Sequence, residues 1–334
     1  MIIVTGATGF VGRRLIKQLL KKYNKKDILC LVYDIFDNDL EISGRLMLNN
    51  LGVKYIAVDL VTGRGLEKVP KSPCLVFHLA SNTETGASDH RVNDIGTLNL
   101  INSISPISSN CKIIFTSTIA VSDHRPDLTL PANEDTLLLN PRTDYGRRKL
   151  IAENFLKDCA EKFKCSVTVV RLSAVFGKGT RSDGLFCSVS RIAYRNSFIG
   201  RLNYPGRLSF INVEDVAKIL TKISKFKFPQ GSFEIYIPIS EVMTIAQLFR
   251  KYYIAYGIDY KAIKLPKFFW LLCEFITKFT FCFEAIFPRY FNNRNWQLNL
   301  LVSNSFYNKS MKIYKIFPLI KLKRIDKAIN EMLI

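Results

Sequence analysis

A glycine-rich turn near the start of the chain constrains the fold more than any other feature. It follows the apolar run 2–5, opens a helical pattern over 10–22 and reads Thr5-Gly6-Ala7-Thr8-Gly9-Phe10-Val11-Gly12. Gly6 allows a sharp turn, Gly9 lets the backbone approach a pyrophosphate, and Gly12 lets the helix pack close to the strand. Backbone N–H groups and the helix dipole then face the phosphates. The segment predicts a dinucleotide-binding turn, with Gly6, Thr8, Gly9, Phe10, Val11 and Gly12 as candidate cofactor-binding residues.

Short β-rich runs alternate with helical patterns through the first half of the chain. Strands are predicted at 2–5, 28–33, 54–58, 74–79, 111–116 and 167–172, with helices at 10–22, 91–105 and 144–163. This alternation predicts an α/β fold of the Rossmann type, a doubly wound parallel sheet covered by helices on both faces.

The alternation loosens from about residue 178. Helical patterns near 183–196, 213–225, 244–256 and 266–286 have no strand beside each helix. We therefore expect an NAD(P)-binding domain over 1–177 and a smaller, mostly helical substrate lobe over 178–334. This C-terminal lobe is expected to be interleaved with the sheet near 208–240.

Charge and cysteine content narrow the function classes. The 334 residues include 48 Lys+Arg against 28 Asp+Glu, a net charge of +20, which predicts attraction to a phosphate-bearing ligand, a nucleic acid or an acidic membrane. The basic residues are dispersed without a nucleic-acid-binding motif, so no nucleic-acid partner is expected. Eight cysteines without CxxC spacing and only three histidines predict neither a metal site nor a disulfide framework. The start of the chain lacks a signal-peptide pattern, so we expect a cytoplasmic protein.

Acidic residues follow the second and third predicted strands. Asp34, after Tyr33, stands where a carboxylate would bind the adenosine ribose of NAD, or where an arginine would accept the extra phosphate of NADP. It favours NAD without excluding NADP, and a solvated loop aspartate is an equal alternative. Asp59, with Leu60 beside it, is placed to bind the adenine amine, and a simple strand-end cap is the alternative.

A second group of candidates combines a phenol, an ammonium and a hydroxyl. Tyr145 and Lys149 are four residues apart on a predicted helix and so share one face. A phenol with a pKa near 10 needs roughly 4 kcal/mol of differential stabilisation to act as a base near neutral pH. Lys149 and a cationic nicotinamide could supply it together in a dry site. The run 113–118 ends a strand with hydroxyls that can orient a substrate oxygen; a solvated strand end is the alternative.

Together these motifs resemble the extended short-chain dehydrogenase/reductases, the NAD-dependent epimerase/dehydratase group. The resemblance spans about residues 1–240, and the further motifs that carry it are His78-Leu79-Ala80-Ser81, Val92-Asn93 with Gly96-Thr97, Arg171 to Gly177, and Phe210 to Ala217. It implies that Thr118 is the catalytic hydroxyl, Tyr145 the proton-transfer residue, and Lys149 its electrostatic partner and a ribose ligand. It also implies that Leu79, Ala80 and Ser81 line the dinucleotide.

The resemblance implies hydride transfer between a substrate carbon and NAD. Tyr145 would take the proton of the substrate hydroxyl while Thr118 holds the oxygen. We expect a sugar epimerase acting on a nucleotide-linked or lipid-linked sugar. An epimerase needs only a tightly held cofactor, whereas a dehydrogenase exchanges it at each turnover, and the dinucleotide motifs do not separate the two. The alternative is an NAD(P)-dependent dehydrogenase or reductase of a lipophilic, sterol-like alcohol or ketone.

Departures from the family pattern bear on the substrate. Ile119-Ala120 stand where the 4,6-dehydratases have an Asp-Glu pair, so dehydration is not expected. Ala174 and Leu208 replace an Asn and an Arg that bind the nucleotide diphosphate in 4-epimerases. Cationic side chains that could reach a diphosphate from other positions are Arg207, Arg181 and Lys178.

The C-terminal segment 261–334 is basic and rich in aromatic residues. It has thirteen Lys/Arg against four acidic residues, and aromatic side chains crowd the stretch 266–288. The longest charge-free run there, 268–273, is well below the roughly 18 residues that span a bilayer. The stretch is therefore a core helix, a homodimer helix or a helix lying in a membrane interface. The last alternative would place the protein at the inner face of a membrane.

Overall fold

The computed structural model describes residues 1–35, 39–83, 89–282 and 289–333, without the side chains of 281, 282 and 289–294. The chain divides into two compact units. The first comprises Met1–Thr118, Thr143–Arg171 and Val213–Tyr236, and the second comprises Ile119–Arg142, Leu172–Asn212 and Ile237–Ile334. Both units therefore contain residues from before and after the expected boundary at 177.

The regular elements of the described residues alternate along most of the chain. The strands are β1 (Ile2–Thr5), β2 (Ile28–Tyr33), β3 (Lys54–Val58), β4 (Leu75–His78), β5 (Lys112–Thr118), β6 (Ser166–Leu172), β7 (Ala174–Phe176), β8 (Arg207–Asn212), β9 (Phe233–Tyr236) and β10 (Glu241–Thr244). The α-helices are α1 (Phe10–Leu19), α2 (Asp39–Leu51), α3 (Ile95–Ile104), α4 (Asp144–Phe163), α5 (Leu185–Tyr194), α6 (Val213–Lys225), α7 (Ile245–Ala255), α8 (Lys267–Cys282), α9 (Arg289–Val302) and α10 (Lys312–Ile316).

The first unit is built on a seven-stranded sheet in the order β3-β2-β1-β4-β5-β6-β9. β1 pairs in parallel with β2 on one side and with β4 on the other, so the strand order reverses at β1. Ligands of doubly wound sheets bind at the carboxyl ends of the strands beside such a reversal. The predicted fold class is confirmed. The glycine-rich turn lies directly after β1, the strand at which the order reverses.

Helix α1 forms because its apolar residues recur on one face. Leu15, Ile16 and Leu19 are fully buried, while Lys17 on the opposite face is exposed. Each such buried side chain contributes about 1.5–3 kcal/mol relative to its exposed state. α1 packs against α6, also in the first unit, and its Arg14 contacts Glu214 at 3.3 Å. This packing fixes the start of α1, and with it the turn.

The second unit contains a small sheet that the sequence analysis missed. The strand order is β10-β8-β7, with β7 parallel and β10 antiparallel to β8. Beyond residue 178 the structure adds β8, β9 and β10 to the predicted helical patterns, all within the region 207–244 near where interleaving with the sheet was expected. β7 and β10 have only three and four residues, too few to show a periodic pattern.

Backbone hydrogen bonds explain why the units interleave along the sequence. β9 pairs with β6 and so completes the sheet of the first unit. Segment 119–142 instead joins the second unit, where Ala132 exchanges hydrogen bonds with Tyr307 and Lys309 at 2.9 Å. Glu134 of the same segment accepts hydrogen bonds from Ile237 N and Ser310 Oγ. These hydrogen bonds, and not the position of a linker, determine which unit each segment joins.

Candidate active site

The glycine-rich turn brings three backbone segments unusually close together. Gly6 has φ +66°, and a Cβ there would lie 2.7 Å from Ala80 N. A Cβ on Gly12 would lie 2.0 Å from Gly6 O, closer than any real contact. Gly9 is the N-cap of α1, and its N–H donates to Gly6 O at 3.1 Å. A side chain at Gly6 or Gly12 would therefore separate the turn from β4 or from α1.

The other turn residues differ in their exposure. Thr8 is buried, and its hydroxyl donates to Glu41 Oε1 at 2.7 Å. Phe10 and Val11 are partly exposed at the first turn of α1. Their backbone N–H groups lie at the helix N-terminus, where a pyrophosphate would be favoured. The side chain of Thr8 therefore holds α2 in place, while its backbone stays the group predicted to contact a cofactor.

Thr5, to which the sequence analysis gave no role, ties the turn to the end of β4. Its Oγ1 accepts hydrogen bonds from Leu79 N at 3.1 Å and Ala80 N at 3.0 Å. The hydroxyl proton is then left for His78 Nδ1, 2.7 Å away. Strand order could have revealed this contact, because Thr5 and His78 are direct partners in the β1–β4 pairing.

His78 extends this network towards α3. Because Nδ1 accepts from Thr5, the ring proton is on Nε2 and is donated to Thr97 Oγ1 at 2.9 Å. Thr97 in turn donates to Asn93 O at 2.8 Å. Burial, and secondly the charge of Lys149, lower the pKa of His78 to about 3. His78 is therefore a neutral structural link and not an acid or base at physiological pH.

Asp34 presents a carboxylate oxygen that fits a ribose hydroxyl. Its Oδ2 pairs with Arg64 Nη2 at 2.5 Å. Its Oδ1 is buried and has no hydrogen-bond partner among the described residues. An unsatisfied buried acceptor costs free energy unless a donor reaches it, and ribose hydroxyls are such donors.

Asp59 acts in the structure as the strand-end cap that was its alternative interpretation. Its Oδ1 accepts hydrogen bonds from Val61 N at 2.8 Å and Thr62 N at 3.3 Å. Leu60 is buried, and its carbonyl accepts a hydrogen bond from Asn99 Nδ2 at 2.8 Å. Contact of Asp59 and Leu60 with an adenine stays a prediction.

Tyr145 lies at the centre of a directed hydrogen-bond chain. Its phenol shares hydrogen bonds with Thr118 and Ser81. The Ser81 hydroxyl donates its own hydrogen bond to Asn93 Oδ1 at 2.7 Å. Its oxygen therefore accepts a hydrogen bond from the Tyr145 phenol. The Thr118 hydroxyl is then the donor to the phenol oxygen. Asn93 Nδ2 is held by Asn82 O at 3.1 Å, which fixes the orientation of the amide.

Alternation along β5 separates Ser117 from Thr116 and Thr118, and different hydrogen-bond partners then separate Thr118 from Thr116. Thr118 meets Tyr145, whereas Thr116 Oγ1 donates to His78 O at 3.4 Å. Ser117 Oγ is buried without a partner in the described part of the chain. The sequence predicted this cluster, and side-chain alternation in a strand separates Thr118 from its neighbour Ser117.

Lys149 lies on α4, the helix that also carries Tyr145, and is almost fully buried. Its Nζ donates to Thr116 O at 3.0 Å and lies 4.5 Å from the centre of the Phe115 ring. Burial lowers the pKa of Lys149 from 10.5 to about 7, and the charge of Glu153 partly opposes this. Burial raises the pKa of Tyr145, and the hydrogen bond that its oxygen accepts from Thr118 opposes the rise.

Glu153 is a residue that the sequence analysis passed over. It follows Lys149 by four residues on α4 and forms a buried ion pair with Arg171, with 2.6 Å between Oε2 and Nη2. A buried charge needs such a partner, because desolvation is otherwise costly. The i, i+4 spacing of Lys149 and Glu153 was the signal that could have identified it.

The positions that depart from the family pattern all lie in the second unit. Leu208 is buried, whereas Lys178 and Arg207 are exposed. Arg207 stacks on the Tyr307 ring at 5.4 Å, and Arg181 pairs with Asp183 at 2.5 Å. The proposed cationic substitutes are therefore present at the surface of that unit, with Arg181 already neutralised by a carboxylate.

Comparison with known proteins identifies the family. A family model described as the NAD dependent epimerase/dehydratase family matches residues 2–236. UDP-glucose 4-epimerase of Mycoplasma pneumoniae is 29% identical over 188 residues, 53% of each chain. Ceramide reductase of Caulobacter vibrioides is 26% identical over 222 residues, 65% of this chain and 58% of that protein. The chain thus spans little more than half the length of the curated relatives it matches.

Solved structures agree with this match at the level of the fold. UDP-glucuronic acid 4-epimerase from Bacillus cereus, in complex with UDP-glucuronic acid and NAD, has a TM-score of 0.71 at 16% identity. The alignment covers 99% of this chain and 97% of that one. The predictions of a Rossmann-type fold and of the extended short-chain family, which is NAD-dependent, are confirmed. The chain belongs to the NAD-dependent epimerase/dehydratase family.

Proposed function

We propose that the protein is a sugar epimerase that inverts one carbinol centre of a nucleotide-linked or lipid-linked sugar. The observation that carries the proposal is the hydrogen bond between Tyr145 and Thr118 at the carboxyl edge of the sheet. A phenol and a hydroxyl in contact can hold one substrate oxygen between them and move its proton. Family membership supports the same chemistry.

The residues of the first unit fit the dinucleotide that this chemistry needs. The absence of a Cβ at Gly6 and Gly12 lets the turn pack directly against the end of β4 and the start of α1, and Asp34 Oδ1 offers a buried acceptor for a ribose hydroxyl. Leu79, Ala80 and Ser81 follow β4 at the same edge. When bound there, NAD supplies a site that accepts a hydride and can return it.

Tyr145 and Thr118 divide the work on the substrate oxygen. Tyr145 first releases its own proton to solvent; the phenolate then accepts the proton of the substrate hydroxyl during oxidation and returns it during reduction. Because burial raises its pKa, the resting phenol is protonated, and positive charge near it is needed for the first step. Lys149, buried one turn further along α4, supplies part of that charge.

The nucleotide-linked substrate is proposed on the strength of the relatives. The Mycoplasma and Bacillus proteins are UDP-sugar epimerases by name. Ala174 and Leu208 lack the polar groups expected for a diphosphate, so we propose that cations such as Arg207 and Lys178 replace them. The homodimer and the position at a membrane face stay predictions. None of the described helices is both long enough and apolar enough to cross a bilayer.

The test is conversion of UDP-sugars with and without the phenol. Purified protein is incubated with UDP-glucose, UDP-N-acetylglucosamine or UDP-glucuronic acid, and the 4-epimers are separated by chromatography. Tyr145→Phe is expected to lower turnover by about 10²–10⁴-fold while NAD binding persists. Tyr194→Phe, which changes an exposed tyrosine on α5, is the matched control and should keep the wild-type rate.

Two results would contradict the proposal. An unchanged rate in Tyr145→Phe would remove the catalytic assignment. Accumulation of NADH in proportion to substrate consumed, with no epimer formed, would instead identify the dehydrogenase alternative.

A further inference from the structure

Helix α8 turns its apolar side chains outward. Seven of them are between 39% and 70% exposed, and we call them the α8 stripe: Phe268, Phe269, Leu271, Leu272, Phe275, Ile276 and Phe279. Their spacing places them on one face of the helix. Contiguous exposed apolar surface of this kind marks an interaction site, whereas single exposed apolar residues do not.

The opposite face of α8 is buried although it is more polar. Thr277 and Thr280 are buried, and their hydroxyls donate to carbonyls of α8 itself. Trp270 is buried and donates through Nε1 to Asn203 Oδ1 at 3.2 Å. Asn295 of α9 donates to Thr277 O at 3.2 Å. These contacts hold the polar face inward, so the α8 stripe cannot be buried by rotating the helix.

The charged residues around α8 lie beside the stripe and not within it. Lys261, Lys264 and Lys267 are exposed at the N-terminal end. Glu274 and Lys278 pair with each other at 2.9 Å along one edge. An amphipathic helix with an uncharged aromatic face and flanking lysines is the pattern of a helix that lies in the plane of a membrane.

We propose that the α8 stripe inserts into the surface of a bilayer containing anionic lipids. Charge selects this occupant over a second copy of the chain, because two copies each carry a net charge of +20 and repel each other. An anionic surface attracts the same charge, because each Lys or Arg near it interacts favourably with the negative surface potential. The proposal goes beyond the epimerase activity and does not depend on it.

Vesicle flotation tests the proposal with the full chain. Wild type is expected to float with phosphatidylcholine vesicles containing phosphatidylglycerol and to stay in solution with phosphatidylcholine alone. The variant with Leu272→Ser, Phe275→Ser and Phe279→Ser is expected to float at least tenfold less. A matched control changes three exposed leucines elsewhere in the second unit, Leu130→Ser, Leu137→Ser and Leu319→Ser, and should float like wild type.

A second variant guards against loss of the fold. Phe275→Glu changes one side chain that is 64% exposed, and it should keep the wild-type melting temperature while losing flotation. Wild type that stays in solution with anionic vesicles would overturn the proposal. So would a stripe variant that floats like wild type. A lipid-free wild-type dimer that Phe275→Glu converts to monomer would show that a second copy covers the stripe instead.

Discussion

Helices α1 and α8 are both amphipathic, but they turn opposite faces to the protein. In α1 the apolar residues Leu15, Ile16 and Leu19 are buried, and Lys17 on the opposite face is exposed. In α8 the apolar α8 stripe points to solvent and threonines are buried. The periodicity of apolar residues therefore indicates that a helix has an apolar face, and only the packing shows what covers that face.

The difference also separates what each helix does. α1 is fixed by packing in the first unit, and that packing holds the turn that fits a dinucleotide. α8 gains little from its own apolar surface in the described structure, so its stripe is available to a partner.

Truncating one leucine in each helix tests the contrast directly. Leu15→Ala removes a fully buried side chain and should lower the free energy of unfolding by about 3 kcal/mol. Leu272→Ala removes a side chain that is 53% exposed and should change it by less than about 0.5 kcal/mol. Urea unfolding without lipid measures both. Equal losses would mean that the α8 stripe is part of a core.

Thr5→Val tests the link between the turn and β4. The substitution keeps the shape but leaves Leu79 N, Ala80 N and His78 Nδ1 without their partner. Buried groups without partners should lower the free energy of unfolding by about 2–3 kcal/mol and weaken NAD binding. Thr62→Val, at an exposed turn position, is the control. A stability equal to that of wild type would show that water or a rearrangement satisfies these groups.

Lys149→Met tests the buried ammonium through its pH dependence. Burial lowers the pKa of Lys149 to about 7 in the folded chain, whereas the unfolded chain keeps the proton up to about pH 10. Between these values the unfolded state binds more protons, so the stability of wild type rises with pH relative to the variant. From pH 7 to 9 the gain should be about 2 kcal/mol. Parallel curves for the two proteins would contradict the lowered pKa.

Much of the first unit could be predicted from sequence, because its signals are local. The glycine spacing, the strand runs and the pair Tyr145/Lys149 each depend on a few neighbouring residues. Thr5 was missed because its partner His78 is distant in sequence, whereas the local spacing of Glu153 and Lys149 was available and only the ion pair with Arg171 needed the structure. The orientation of α8 was left open for the same reason, since a helical pattern does not identify its neighbour.

Two further features needed the structure. β7 and β10 are too short for a periodic signal, and their register comes from pairing with β8. Asp34 Oδ1 gained significance only when its burial without a partner was visible. Part of the aromatic stretch 266–288, including Phe281, Phe283 and Phe287, lies outside the described side chains, so the α8 stripe is defined by 268–279 alone.

The dinucleotide content of freshly purified protein tests the central claim most directly. An epimerase recycles its cofactor, so denaturing release should yield close to one NAD per chain from wild type. Gly12→Ala, whose Cβ would collide with Gly6 O, should yield almost none. A wild-type protein that is purified empty and exchanges added NAD freely at every turnover would contradict the account and favour a dehydrogenase.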